Sequence, residues 1–419
     1  MMIEQLPCCE DYLRTSRRGF LRGSLALGGA AALTVAHGST LVQTAYAATP
    51  AERVLVVLSM RGAADGLSLV VPHADPVYYQ ARPSINVPSD RLLAKDGMFG
   101  LHPSLAPLMP LWAGNKIAAI HATGLPVANR SHFAAMEEVE DADPGSPERV
   151  GWLNRLVGRD GPGSPIEAIQ LGGGVPNAAM VGPQPVLVTT GVDGVSLAGA
   201  SDAASEAARR AALLSAWSES SGELATGVDT ALDVVADFAP VRASSTTPAN
   251  GTVYPSNDLG RALHACARTI RADVGAEIIT VDHGSWDHHT WIGQPDNGNL
   301  KRMADAFAGS VGAFFADLGP LADKVTLVTI SEFGRRVVEN ANQGLDHGHG
   351  NVMFVMGAGV KGGYYGNWPG LTNTSDADLL VTTDYRSVLN EVVTRRLNAS
   401  TAQVFPGLAP QDLGFITGF

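Results

Sequence analysis

Cysteine is almost missing from this chain of 419 residues: Cys8 and Cys9 lie near the start, and Cys266 stands alone in the rest. Once the N-terminal segment is removed, as read below, no intramolecular disulfide can form, so stability has to come from an ordinary apolar core. A basic surplus is missing as well. Lys and Arg number 29 against 41 Asp and Glu, a formal net charge of −12, and no basic patch is visible, which argues against nucleic acid as a partner. Beyond residue 48 no apolar run reaches the roughly 20 residues that a bilayer span needs. No internal repeat at the periods of solenoids is apparent either.

The N-terminus reads as an address label. Ser16-Arg17-Arg18-Gly19-Phe20-Leu21 places paired arginines before an apolar stretch from Leu25 to Val35, and Ala45-Tyr46-Ala47 offers a small-residue cleavage site. This predicts a twin-arginine leader over residues 1–47, a mature chain from Ala48, and a periplasmic or secreted destination. That route carries folded proteins, which suits a chain that takes up a metal before it crosses the membrane.

Apolar runs on both strand faces recur at Val54–Leu58, Ile117–Ile120, Glu277–Val281, Val325–Ile330 and Val352–Met356. Continuous rather than alternating hydrophobicity is what parallel strands covered on both sides require. Helical periodicity fills the gaps at 203–218, 259–274, 300–318 and 385–397, the last with Asp384 as N-cap. The expected fold is α/β, a three-layer α/β/α sandwich around a mostly parallel sheet, spanning 48–419 as one domain. A helical, Ala/Ser-rich insertion with a flexible loop is expected at about 193–250.

Chemistry concentrates after the strands. Asp65 follows the first in Arg61-Gly62-Ala63-Ala64-Asp65-Gly66, His121-Ala122-Thr123-Gly124 reads as a loop after the second, and Ser331-Glu332-Phe333-Gly334-Arg335-Arg336 follows Ile330. Five of the 11 histidines fall in Asp282-His283-Gly284-Ser285-Trp286-Asp287-His288-His289 and Asp346-His347-Gly348-His349. In open α/β sheets ligands bind beyond the carboxyl ends of strands, so these loops are expected to share one crevice. Asp287 and His289, like His347 and His349, lie two apart and face one side of an extended segment, as two ligands to one ion do. The bland readings are a solvated turn for Asp287, a turn residue for Asp65, and a salt bridge to Arg335 or Arg336 for Glu332. Ser131, in Asn129-Arg130-Ser131-His132-Phe133, reads both as a helix N-cap and as a hydroxyl that a metal would activate. Arg130 and Arg335 are candidates to clamp an oxyanion.

Eight ordered motifs carry a resemblance across almost the whole mature chain. They are Arg61-Gly62-Ala63-Ala64-Asp65-Gly66-Leu67, Phe99-Gly100-Leu101-His102-Pro103, Arg130-Ser131-His132-Phe133, Gly151-Trp152-Leu153-Asn154-Arg155, Trp286-Asp287-His288-His289, Ser331-Glu332-Phe333-Gly334-Arg335-Arg336, Asp346-His347-Gly348-His349-Gly350 and Gly362-Gly363-Tyr364-Tyr365-Gly366. Together they resemble the exported bacterial family catalogued as domain of unknown function 1501. That family looks like a branch of the alkaline phosphatase and sulfatase superfamily, which implies an α/β/α sandwich, a bimetal centre and a hydroxyl or modified-cysteine nucleophile. Carried over, Ser131 resembles the nucleophile, Asp65 the first-strand metal ligand, Asp287 and His289 the ligands of one metal, Glu332 the carboxylate of the other and His347 the late histidine, with His349 assisting. Phe333 stands where superfamily phosphatases carry histidine, and His132 or His349 is the expected substitute. The implied function is hydrolysis of a small anionic phosphate or sulfate ester with two divalent cations, Zn, Mn, Mg or Ca. The rivals are a non-catalytic exported binding or assembly protein that keeps the fold and perhaps a structural ion, and a metal-dependent oxidoreductase.

Overall fold

Residues 54–60 alternate between two apolar layers. Val54, Val56, Leu58 and Met60 pack on one side of their strand with Leu259, Leu263, Phe307 and Phe314, while Leu55 and Val57 pack on the other with Val388, Leu389 and Val392. A strand buried on both faces is the centre of a three-layer sandwich, and this explains the unbroken run of large aliphatics. The computed structural model describes residues 34–36 and 50–418 except 160 and 162. The expected leader lies outside the described residues apart from Thr34–Ala36.

The strands in chain order are β1 (Thr34–Ala36), β2 (Val54–Met60), β3 (Val70–Val71), β4 (Gly100–Leu101), β5 (Ile117–Gly124), β6 (Ala168–Leu171), β7 (Val186–Thr189), β8 (Ile278–His283), β9 (Val325–Ile330), β10 (Asn351–Gly357), β11 (Gly363–Tyr365) and β12 (Thr383–Asp384). Ten of them form one sheet in the order β1-β7-β6-β8-β2-β9-β10-β5-β11, with β12 also on β5, and β3 pairs with β4 apart from it. Strands β7, β6, β8, β2 and β9 run parallel. The mostly parallel α/β architecture expected from the sequence is present.

Helices Asp258–Ala272 and Gly298–Leu318 cover one face, and His132–Asp141 and Tyr385–Leu397 contribute to the other. Asp384 caps the last helix by accepting from Arg386 N. Between 193 and 250 lie helices Ala203–Trp217, Glu223–Asp237 and Ala239–Ala243, tied to the sandwich where the buried Arg268 guanidinium forks onto the Asp193 carboxylate at 2.9 Å on each arm.

Two features differ from the sequence reading. His121 to Gly124 is not a loop but the end of β5, because His121 is packed away from water, its ring stacked on Phe99 at 4.5 Å between centroids and edge-on to Trp368 at 5.2 Å. Strand β10 is antiparallel to both neighbours, β9 and β5. Its N-terminal end therefore lies at the rim where β2, β5, β8 and β9 end, and this brings the Asp346–His349 segment, which precedes β10, to the same rim as the loops that follow the others.

Burial pushes the His121 pKa down to about 3. A depressed native value means that stability is fully present above the unfolded value near 6.5 and is lost as pH falls from there toward 3. Between pH 7 and pH 5 this one ring is expected to cost roughly 2 kcal/mol. Thermal unfolding across that interval should show a falling midpoint, with a visibly shallower pH slope for His121→Gln; equal slopes would refute the assignment.

Candidate metal centre

At this rim the turn after β2 is drawn tight. Gly62 has φ +104°, and a Cβ there would lie 2.7 Å from the Asp287 backbone nitrogen, so only glycine lets the 284–288 segment pass. Trp286 N donates to the Arg61 carbonyl at 3.2 Å, Gly62 N donates to Glu332 Oε1 at 2.8 Å, and Ala64 N donates to Ser331 Oγ at 3.2 Å. Arg335 locks the same turn from below. Its guanidinium donates to the carbonyls of Ala63 at 2.7 Å, Gly62 at 2.5 Å, Leu345 at 3.0 Å and Trp286 at 3.3 Å, and to Asp287 Oδ1 at 2.6 Å.

Four side chains meet above it. His347 Nε2 lies 3.0 Å from His132 Nε2 and 2.9 Å from His289 Nε2. Asp287 Oδ1 lies 3.0 Å from His289 Nε2 and 3.4 Å from His347 Nε2, and Asp287 Oδ2 lies 3.4 Å from His132 Nε2. His132, Asp287 and His347 form the tightest set, their ligand atoms all within 4.8 Å of one another, and His289 closes the other side. All four remain reachable from solvent, with side chains 24–44% exposed.

The opposite nitrogen of each ring faces an oxygen. His132 Nδ1 donates to Glu332 Oε1 at 2.7 Å, His289 Nδ1 to Asp346 Oδ1 at 3.0 Å and His347 Nδ1 to the Arg130 carbonyl at 2.9 Å. With Nδ1 donating to an oxygen, each ring presents its Nε2 toward the common centre, the arrangement by which outer carboxylates and carbonyls orient metal-binding imidazoles. Burial disfavours the charged form of Asp287, but the hydrogen bond and charge of Arg335, followed by the charges of His289 and His132, bring its pKa down to about 2. Burial lowers that of His347 against the opposing hydrogen bond to the Arg130 carbonyl, and the nearby Arg335 charge adds to the lowering. At neutral pH Asp287 is ionised, and His347 is biased toward its neutral form.

Not every residue singled out by sequence is in this cluster. Asp65 is a correction: its carboxylate is buried against Arg82, which forks onto it at 2.6 and 3.0 Å, so its charge is already matched. Glu332 stands behind His132, not in the centre. His349 turns away, its Nε2 2.8 Å from the Leu125 carbonyl. His132 is in the cluster, and the buried Phe333 ring packs 4.9 Å from the rings of both His132 and His347. Arg335 is a second correction, since its hydrogen bonds all go to the protein and it is buried, so it positions Asp287 and does not clamp a substrate. Arg130 pairs with Asp378, which Arg336 also contacts at 3.1 Å.

Ser131 is the exposed N-cap of His132–Asp141, and its hydroxyl makes no capping hydrogen bond. The first turn carries no acidic residue. The helix therefore presents free N–H groups and the positive end of its dipole one residue from His132. Arg82 escaped sequence reading because nothing in Tyr78-Tyr79-Gln80-Ala81-Arg82-Pro83 marks it, and only the fold brings it to Asp65.

The family described as Protein of unknown function (DUF1501) matches residues 112–392. That stretch holds His132, Asp287, His289, Glu332, Arg335 and His347. No curated protein matches the chain.

Gly62→Ala is expected to destabilise the protein by roughly 1–3 kcal/mol, because the added methyl meets backbone and the φ is strained. Gly97→Ala, where a Cβ meets nothing within 4 Å, serves as control. Urea unfolding midpoints that move equally for the two would contradict the packing described for the turn.

Proposed function

The chain belongs to the DUF1501 family, and from the chemistry of the rim we propose that it is an exported, metal-dependent hydrolase of phosphate or sulfate esters, a branch of the alkaline phosphatase and sulfatase superfamily. The observation that carries this reading is the convergence of three imidazole lone pairs and one carboxylate at 2.9–3.4 Å. A shared proton relieves one such pair; a cation relieves all of them. Ligands at the usual imidazole–zinc distance around a tetrahedral ion lie roughly 3.3 Å apart, close to what these donors show. An imidazole-rich set suits zinc better than manganese, magnesium or calcium.

One ion is proposed instead of the two that the superfamily implies. The carboxylates expected to hold a second are engaged, Asp65 by Arg82 and Glu332 by His132 and Gly62 N. When bound, the cation would supply Lewis acidity to a neighbouring hydroxyl and to a leaving oxygen. The chain's own contribution is the Ser131 hydroxyl, free at the helix end, as nucleophile. The open N–H groups of the first helical turn, with Arg130 alongside, favour an anionic group there. This places anion recognition on backbone and helix dipole in the role first read for Arg335. The twin-arginine motif supports export, and no described helix is long and apolar enough to cross a membrane.

Metal analysis of protein matured through its own export route is expected to give about one equivalent per chain. Asp287→Asn should retain almost none, and Ser131→Ala should keep the metal while losing turnover of generic aryl phosphate or sulfate esters. Glu332→Gln should weaken metal affinity by roughly 10–100-fold, as outer-shell changes do, in a chelator competition. Full metal retention by Asp287→Asn would end the proposal; metal without turnover of any ester would favour the non-catalytic binding protein.

A further inference from the structure

We infer that the outer edge of β7 is a docking site for an extended peptide and that its occupant is a segment of this chain's own leader, so that processing uncovers an open sheet edge. The second half rests on the export reading above. β7 ends the body of the sheet on its side, and among the described residues only β1, Thr34–Ala36, stands beyond it. These residues fall inside the expected leader, at the end of its apolar stretch and ahead of the cleavage site at Ala45-Tyr46-Ala47.

The register shows which backbone groups are engaged. β1 runs antiparallel to β7, with Thr34 opposite Val188, Val35 opposite Leu187 and Ala36 opposite Val186. On the other side β6 runs parallel to β7, and the Thr189 carbonyl accepts from Gly172 N at 3.0 Å. Peptide groups alternate sides along a strand, so Leu187 and Thr189 serve β6, while Val186 and Val188 present their N–H and C=O outward to Ala36 and Thr34. The two faces of β7 are already filled. Leu187 lies in the layer with Leu259 and Phe307, Val186 and Val188 lie in the layer with Val388, and none of the three is exposed. Only this row of peptide groups is left to satisfy, and an added strand satisfies it.

The devices that close an edge against pairing are absent from β7 itself: Val186-Leu187-Val188-Thr189 carries no charge and no proline, and its register with β1 is unbroken by a bulge. Such a strand is a template for an extended segment, and one tethered to the same chain is present at high local concentration. Thr34 and Val35 are β-branched and favour the extended state. Antiparallel addition at an edge needs no crossover, so the segment enters and leaves without disturbing the parallel order behind it. The folded precursor thus carries the end of its leader's apolar stretch as an extra strand, and the processed chain keeps β7 with its outer peptide groups bare.

Amide hydrogen exchange across β7, read by mass spectrometry, tests both halves. In the full chain Ala36→Pro, which removes the N–H facing Val186, should speed exchange at Val186 and Val188 about tenfold while Leu187 and Thr189 stay protected. Protein recovered after export should show the same fast exchange at Val186 and Val188, and a synthetic peptide of residues 30–40 should slow it again. N-methylation of that peptide at Ala36 should abolish the protection; N-methylation at Val35, whose N–H points away from β7, should leave most of it. Exchange at Val186 and Val188 that Ala36→Pro leaves unchanged would overturn the docking, as would two N-methylated peptides that protect equally. Intact mass reads the leader separately. An exported protein that keeps residues 1–47 would sink the leader reading and the uncovering while leaving the pairing standing; a processed protein whose Val186 and Val188 amides stay protected without the peptide would overturn the uncovering alone.

Discussion

The Arg335 guanidinium is the contact on which the rim is built. It reaches the carbonyls of Gly62 and Ala63 after β2, of Trp286 after β8 and of Leu345 ahead of β10, and it ends on the Asp287 carboxylate. Three loops remote in sequence are thus referred to one planar group. Buried carbonyls need donors, and a delocalised cation with a rigid fork satisfies several at fixed angles where lysine cannot. The same group is the main influence that lowers the Asp287 pKa, so one side chain serves both architecture and electrostatics at the centre.

Around that anchor the side chains fall into an inner and an outer ring. Glu332, Asp346 and the Arg130 carbonyl each accept a hydrogen bond from an Nδ1, and His132, His289 and His347 each turn the other nitrogen inward. Phe333 fills the space beneath two of the rings. The position that reads as a lost ligand by resemblance is a packing surface, and the helix that starts at His132 brings an imidazole to the same rim.

The fold was legible because its central strands are buried on both faces: Val54–Leu58 and Val325–Ile330 have few polar interruptions, and such runs admit few other environments. Strands Ala168–Leu171 and Val186–Thr189 were missed because four residues with a Gln or a Thr among them do not stand out from neighbouring glycine-rich turns. The direction of β10 is invisible in composition, since an apolar run reads the same either way. At the site, spacing picked out Asp287, His289 and His347 because those residues are local to short motifs. It misplaced Asp65 and Arg335, whose roles depend on partners far along the chain. A carboxylate in a glycine-flanked loop looks alike whether an ion or a guanidinium neutralises it, and only the placement of Arg82 decides between them.

The bond from Arg335 to Asp287 means that this carboxylate has a permanent counter-charge of its own. Its charge is balanced from within the protein, whatever lies on its solvent side. Loops from three distant stretches of chain are thereby knit together by groups that the polypeptide itself carries, and the charge where they meet is answered from within the fold.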